Sequence, residues 1–272
     1  MERNEECELF DHILIASFGT GVASARASMD AVEQALVRQA GLPHTCAFTS
    51  EAVRSLLARR GEPVPSAAQA LEAAAHAGAR RVFVQPTHML YGSEYEKLRA
   101  EVSAARPRFE KLCLGAPLLA GSAEVRRLAR VLAEAYPPRK GERLVLVGHG
   151  AAHFADIVYP AMQTAFRMEG RGDVYVGTLK GWPGFDEVLA QLRQSSAGAV
   201  HLVPLLLAAG GHAQHDMAGE DGQSWKARLE KAGFSVRCTM AGLGLLPGVQ
   251  QMYVDHLREG LQKGEGGRQW TE

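Results

Sequence analysis

The chain has 272 residues, 46% hydrophobic and 22% charged, enough length to bury a core without disulfides or a structural metal. Lys+Arg and Asp+Glu are equal at 30 each, and only 7% of residues are aromatic. This balance argues against intrinsic disorder and against nucleic-acid binding through bulk positive charge or base stacking. No window holds the roughly 18 consecutive apolar residues of a membrane-spanning helix.

The start, Met1 to Asp11, carries Glu2, Glu5, Glu6 and Glu8, opposite in character to a secretory signal. The cysteines, Cys7, Cys46, Cys113 and Cys238, form no CxxC pair, so reduced thiols in a cytoplasmic protein are expected.

Short apolar runs flanked by Gly or Pro predict strands at His12–Ser17, His44–Thr49, Arg81–Gln85, Glu110–Leu114, Arg143–Gly148, Asp173–Gly177, Val200–Pro204 and Ser235–Cys238. Helical periods lie between them: Met29, Val32 and Leu36 share one face, as do Phe185, Leu189 and Leu192. Ser66, Ser93 and Ser122 are expected to cap helices, and Pro183 and Pro247 suit first-turn positions. The alternation predicts an α/β layered fold of parallel sheets.

The chain also reads as two related halves. Ile13–Thr20 resembles Leu144–Ala151, and Val82–Pro86 before Gly92 resembles His201–Pro204 before Gly210. The polar stretch Tyr136–Glu142 marks the join, giving expected lobes at 1–138 and 139–272. The tail Lys263 to Arg268 is expected to fray.

Ligands of open α/β sheets bind beyond the carboxyl ends of the strands. Five of the ten histidines follow predicted strands there: His88, His149, His153, His212 and His215. His149 and His212 are the leading pair, because Gly148, Gly150, Gly210 and Gly211 flank them and let a ligand approach closely. Imidazole both binds first-row metals and accepts protons near neutral pH. His153 is expected to line a pocket or cap a helix start. His12, His44, His76, His201 and His256 carry no functional weight. Gly19-Thr20-Gly21 lacks the third glycine of a dinucleotide fingerprint, and neither a Walker pattern nor a GxSxG elbow is present.

The motifs Leu146-Val147-Gly148-His149-Gly150, Val176–Pro183, Val203–His212, Gln85–Tyr95 (QPTHMLYGSEY), Ile15–Gly19 and, above all, 210–226 (GGHAQHDMAGEDGQSWK) resemble the anaerobic cobalt chelatases of the CbiK type. The resemblance covers nearly the whole chain. It implies two similar α/β lobes, each a parallel sheet flanked by helices, with a cleft between them. It implies ATP-independent insertion of Co²⁺ into sirohydrochlorin on the anaerobic route to cobalamin. It carries two histidine metal ligands onto His149 and His212, with His149 also the proton acceptor, and it favours a homo-oligomer.

The family's glutamate ligand does not carry over, because Lys180 stands at its position in Val176-Gly177-Thr178-Leu179-Lys180-Gly181-Trp182-Pro183. A protonated lysine offers a metal no lone pair. Two histidines with water or substrate nitrogens, another carboxylate such as Glu94 or Asp216, or a Lys180 that binds a substrate carboxylate are the open readings. His88, Tyr91, His153 and Lys180 are the expected substrate contacts. Thr20, Arg26 and Lys97 are further partners for the macrocycle's carboxylates. The alternatives are a chelatase for Fe²⁺ or Ni²⁺, or a tetrapyrrole-binding or haem-binding relative without catalysis. No nucleic acid or membrane partner is expected.

Overall fold

The computed structural model describes residues 9–151 and 153–263. The acidic start with Cys7, and the tail from 264 onward, lie outside the described residues. Eight strands form: β1 (His12–Ser17), β2 (His44–Phe48), β3 (Arg81–Pro86), β4 (Lys111–Leu114), β5 (Glu142–Gly148), β6 (Val174–Thr178), β7 (Ala199–Pro204) and β8 (Ser235–Cys238). Each lies within one residue of its expected bounds. They build two four-stranded parallel sheets, ordered β2-β1-β3-β4 and β6-β5-β7-β8.

The shared order bears out the expected similarity of the halves, and the register sharpens it. Ala16 sits opposite Pro86 across β1 and β3. Val147 sits opposite Pro204 across β5 and β7. The two sequence resemblances had different offsets, yet both land on the same place in their sheets.

Nine helices are described: α1 (Ala23–Ala40), α2 (Glu51–Arg59), α3 (Ala67–His76), α4 (Ser93–Ala105), α5 (Ser122–Ala135), α6 (Val158–Met168), α7 (Phe185–Gln194), α8 (Trp225–Lys231) and α9 (Pro247–Lys263). Their apolar spacing decides which face is buried. In α5, Val125, Leu128, Ala129 and Leu132 repeat at helical intervals and are all buried. Ser66 caps α3 as expected: its Oγ accepts the Gln69 N–H at 3.2 Å, and Gln69 Oε1 accepts the Ser66 N–H at 2.9 Å.

Three cap expectations are corrected. Gly92 and Gly121 occupy the N-cap positions, so Ser93 and Ser122 are already the first helical residues. Pro183 lies ahead of α7, after a cis Trp182–Pro183 bond, with Gly184 as the cap. Pro247 does open α9.

One core gathers Leu14, Leu71, Val82, Val84, Leu98 and Val102 around the first sheet. The other gathers Val145, Val147, Val188, Val200, Leu202, Trp225 and Leu229 around the second. Each fully buried aliphatic side chain contributes about 1.5–3 kcal/mol, which makes these cores the main source of stability.

Among the described residues, the compact units are 9–21 with 29–120 and 250–263, and 22–28 with 121–249. The expected lobes at 1–138 and 139–272 and these units differ in where three segments fall. Helix α5 packs on α6 and joins the second unit. The first turn of α1 also joins the second unit, where the Ser28 backbone lies against Gly244. Most of α9 joins the first unit: Tyr253 is buried there and its hydroxyl donates to the Thr87 carbonyl at 2.7 Å.

Two expectations test this packing. A Cβ on Gly260 of α9 would sit 2.2 Å from Phe83 Cζ. Gly260→Ala should cost about 1–3 kcal/mol, read by denaturant unfolding, because the buried ring has little room to shift.

His201 is buried, its Nε2 lies 2.7 Å from Thr239 Oγ1, and burial together with Arg237 lowers its pKa from 6.5 to about 4. The folded state thus resists a proton that the unfolded chain accepts. Its contribution to stability is complete above pH 6.5 and is lost as pH falls towards 4. His201→Gln should flatten that part of the pH–stability curve, measured as thermal midpoint against pH.

Candidate functional site

The second unit brings His149 and His212 together. Their ring centroids are 4.6 Å apart with planes at 71°. His149 follows β5 directly, and His212 precedes a π-helical turn at Ala213–Met217 beyond β7.

Backbone bonds hold the first histidine. The Leu179 N–H donates to the Gly148 carbonyl at 2.9 Å, and the Lys180 N–H to the His149 carbonyl at 2.8 Å. The Gly150 N–H donates to the Tyr159 hydroxyl at 3.2 Å. Asp156 accepts the Ala151 N–H at 3.1 and 3.2 Å, closing the loop from the other side. Thr178 Oγ1 donates to the Pro183 carbonyl and accepts the Gly181 N–H, fixing the turn that carries Lys180 and Trp182.

Hydrogen bonds also set the tautomers. A carbonyl only accepts, so at 2.6 Å from the Gly150 carbonyl His149 Nδ1 carries the proton. His212 Nδ1 lies 2.6 Å from Asp216 Oδ2, and the ionised carboxylate likewise requires the proton on nitrogen. Each neutral ring then has its lone pair on Nε2. Burial holds the His149 pKa below the ordinary imidazole value; the Gly150 carbonyl opposes this, His212 and Lys180 reinforce it, and Asp216 opposes it.

An imidazole nitrogen binds a first-row cation at ~2.1 Å, so two adjacent rings on one ion have centroids roughly 4.5–5 Å apart. The observed separation falls in that range. Among the described residues, no set of three or more His, Cys, Asp or Glu is arranged to hold a metal.

The other expected site residues divide between the units. In the second, Lys180 is exposed beside the His149 loop, and His153 Nδ1 accepts the Ala155 N–H at 3.1 Å, capping the turn at Phe154–Ile157. His215 is exposed, its Nδ1 donating to the Gly211 carbonyl at 2.8 Å. Asp216, weighed as an alternative carboxylate, stands at the histidine pair.

In the first unit, His88 is buried, with Nε2 3.1 Å from Thr49 Oγ1. Burial lowers its pKa to about 4, against an opposing pull from Glu94. Its Nδ1 and Glu94 Oε2 are buried without a hydrogen-bond partner. Tyr91 is half-buried, edge-on to Tyr95 at 5.0 Å. Thr20 is buried and Lys97 pairs with Glu94 at 2.5 Å, whereas Arg26, half-buried at the start of α1, belongs to the second unit.

Sequence reasoning missed Tyr159 and Asp156, which hold the His149 loop from the segment after it. It also missed the exposed Phe154 and Ile157, at 84% and 58%.

The fold and this imidazole pair define a two-unit α/β protein with two histidine rings side by side beyond the second sheet. The cobalt chelatase (CbiK) family profile matches residues 11–262. The chain is 37% identical over 262 residues to the sirohydrochlorin cobaltochelatase of Salmonella typhimurium, covering 92% of this chain and 96% of that one. It is 35% identical over 252 residues to sirohydrochlorin cobaltochelatase CbiKC of Nitratidesulfovibrio vulgaris, covering 90% and 88%. The chain belongs to the cobalt chelatase (CbiK) family. Among solved structures, SirB from Bacillus subtilis with Fe³⁺ shares the fold, with a TM-score of 0.63 and 17% identity over 91% of this chain and 94% of that one.

Gly150 is the sharpest test of the loop. Its φ is +68°, and a Cβ there would lie 2.5 Å from the Gly181 backbone nitrogen. Neither contact nor conformation can relax without moving the loop. Gly150→Ala should therefore cost about 1–3 kcal/mol in thermal unfolding and displace His149 from its partner.

Proposed function

We propose that this protein inserts Co²⁺ into sirohydrochlorin without ATP, with His149 and His212 carrying the incoming metal. The observation that carries the reading is the pair of imidazoles 4.6 Å apart, each with Nδ1 committed as a donor. Membership of the cobalt chelatase family, and relatives named for this substrate and metal, support it.

The reaction exchanges two pyrrole N–H protons for one divalent ion. The metal must be held while it sheds water and then released, so two neutral donors with open coordination positions suit it better than a closed ligand set. His149 is the proton acceptor as well as a ligand: burial keeps it neutral at physiological pH, and it can take a proton once the metal has left its Nε2. General base catalysis of this kind contributes about 10²–10⁴-fold.

Lys180 replaces the carboxylate expected of a third ligand. On an exposed turn bonded to the His149 carbonyl, its ammonium suits a carboxylate on the rim of the macrocycle. Tyr91, His153 and His88 are the further substrate contacts of this reading, with His88 buried against Thr49. Among the described residues Cys46, Cys113 and Cys238 form no disulfide. No described helix is long and apolar enough to cross a membrane.

The test is anaerobic absorbance on mixing enzyme, sirohydrochlorin and Co²⁺ without nucleotide. Wild type should yield the cobalt product; His149→Ala should lose at least about 100-fold in rate. Lys180→Ala should raise KM for sirohydrochlorin roughly two- to fivefold, the worth of an exposed ion pair. Tetrapyrrole binding with no insertion of Co²⁺, Fe²⁺ or Ni²⁺ would sink the catalytic reading, and faster turnover with Fe²⁺ or Ni²⁺ would reassign the metal.

A further inference from the structure

We infer that Asp216 is a positioning residue that makes His212 the stronger of the two imidazole donors. Its carboxylate returns to the site, one hydrogen bond removed from the metal, the negative charge that Lys180 does not supply. The inference rests on the reading that His149 and His212 carry the metal.

The geometry is local and well anchored. His212 Nδ1 donates to Asp216 Oδ2 at 2.6 Å, four residues along the same turn. The turn is closed by the Ala218 N–H on the Ala213 carbonyl and the Gly219 N–H on the His215 carbonyl, both at 3.1 Å. Ala213 and Met217 are buried and fasten its inner side, which leaves His212 and Asp216 about half exposed on the outer side, at 46% and 45%. From the start of α1, Ser24 Oγ lies 3.4 Å from Gln214 Nε2. The pair therefore sits on a fixed platform and not at the end of a free loop.

The two imidazoles are unequal as a result. His212 hands its Nδ1 proton towards an anion, which fixes the tautomer and enriches the ring in electron density, strengthening Nε2 as a donor. His149 gives its Nδ1 proton to a neutral carbonyl and lies near the Lys180 ammonium, so its Nε2 is the weaker donor. A metal shared by unequal donors leaves in a defined order. The His149 bond breaks first, freeing the proton acceptor while His212 still holds the ion beside the macrocycle. A carboxylate placed behind a ligand strengthens capture without occupying a coordination position.

The experiment compares full-length wild type with Asp216→Asn, Asp216→Glu and His212→Ala. Co²⁺ binding is measured by calorimetry without tetrapyrrole, alongside steady-state kinetics and thermal unfolding. Asp216→Asn keeps the side chain's shape and removes its charge. It should weaken Co²⁺ binding about 10–100-fold, the usual effect of losing a partner behind a metal-binding histidine. KM for Co²⁺ should rise accordingly, with KM for sirohydrochlorin and the thermal midpoint unchanged, and Asp216→Glu should recover part of the loss. Wild-type Co²⁺ binding in Asp216→Asn, with loss in His212→Ala, overturns the role of Asp216 and leaves the imidazole pair standing. Wild-type binding in both variants overturns the pair and Asp216's role with it. A lowered thermal midpoint with unchanged Co²⁺ affinity would make Asp216 merely structural and overturn the inference.

Discussion

The carbonyl oxygens at the end of β5 govern the site. Gly148 and His149 each accept an N–H from the segment that follows β6, so backbone bonds tie the two strand ends together beyond the last ladder pair. These bonds pin the backbone of His149 while its side chain projects beyond the sheet. Everything else at the site leans on this arrangement. Gly150 turns away at positive φ because the Gly181 backbone leaves no room for a side chain. Gly148 is bare because the Tyr159 ring occupies the place of a Cβ, with Cε1 only 2.2 Å from it. Gly150 and Gly181 thus let the two backbones approach closely, Gly148 makes room for Tyr159, and the His149 backbone is held between them.

The first unit makes the same construction without the chemistry. Its Thr49 and Ser50 N–H groups donate to Ser17 and Phe18, as Leu179 and Lys180 donate to Gly148 and His149. Gly19 follows Phe18 at positive φ, as Gly150 follows His149. The position that carries an imidazole in one sheet carries a half-exposed phenyl ring in the other. The backbone device is therefore shared by both sheets, and only the side chain placed on it differs. A likeness of fold alone, such as that to SirB, leaves this choice open.

The eight strands were legible because each is a short apolar run stopped by Gly, Pro or a polar residue, and burial on both faces leaves little else such a run can be. His149 and His212 were legible because glycines flank histidines just past those strands. Caps at Gly92 and Gly121 were not, since neighbouring serines compete for that reading and only the backbone angles decide. Tyr159 and Asp156 were hidden for another reason: they act on backbone groups several residues away, across a turn whose path no local pattern reveals. Lys180 was visible as a departure from the motif that the resemblance carries, and its side chain is exposed to solvent on the turn bonded to the His149 carbonyl.

The division of helices between the units bears on how such a chain arises. If two ancestral copies were once joined end to end, each would have owned its own layers. Here the last helix covers Phe83 in the first sheet, while the opening turn of α1 supports the loops of the second. A gene cut after residue 138 would yield one fragment with an uncovered sheet and another with an orphaned helix. No single cut in the sequence separates the two units, because each is assembled from segments that the other interrupts.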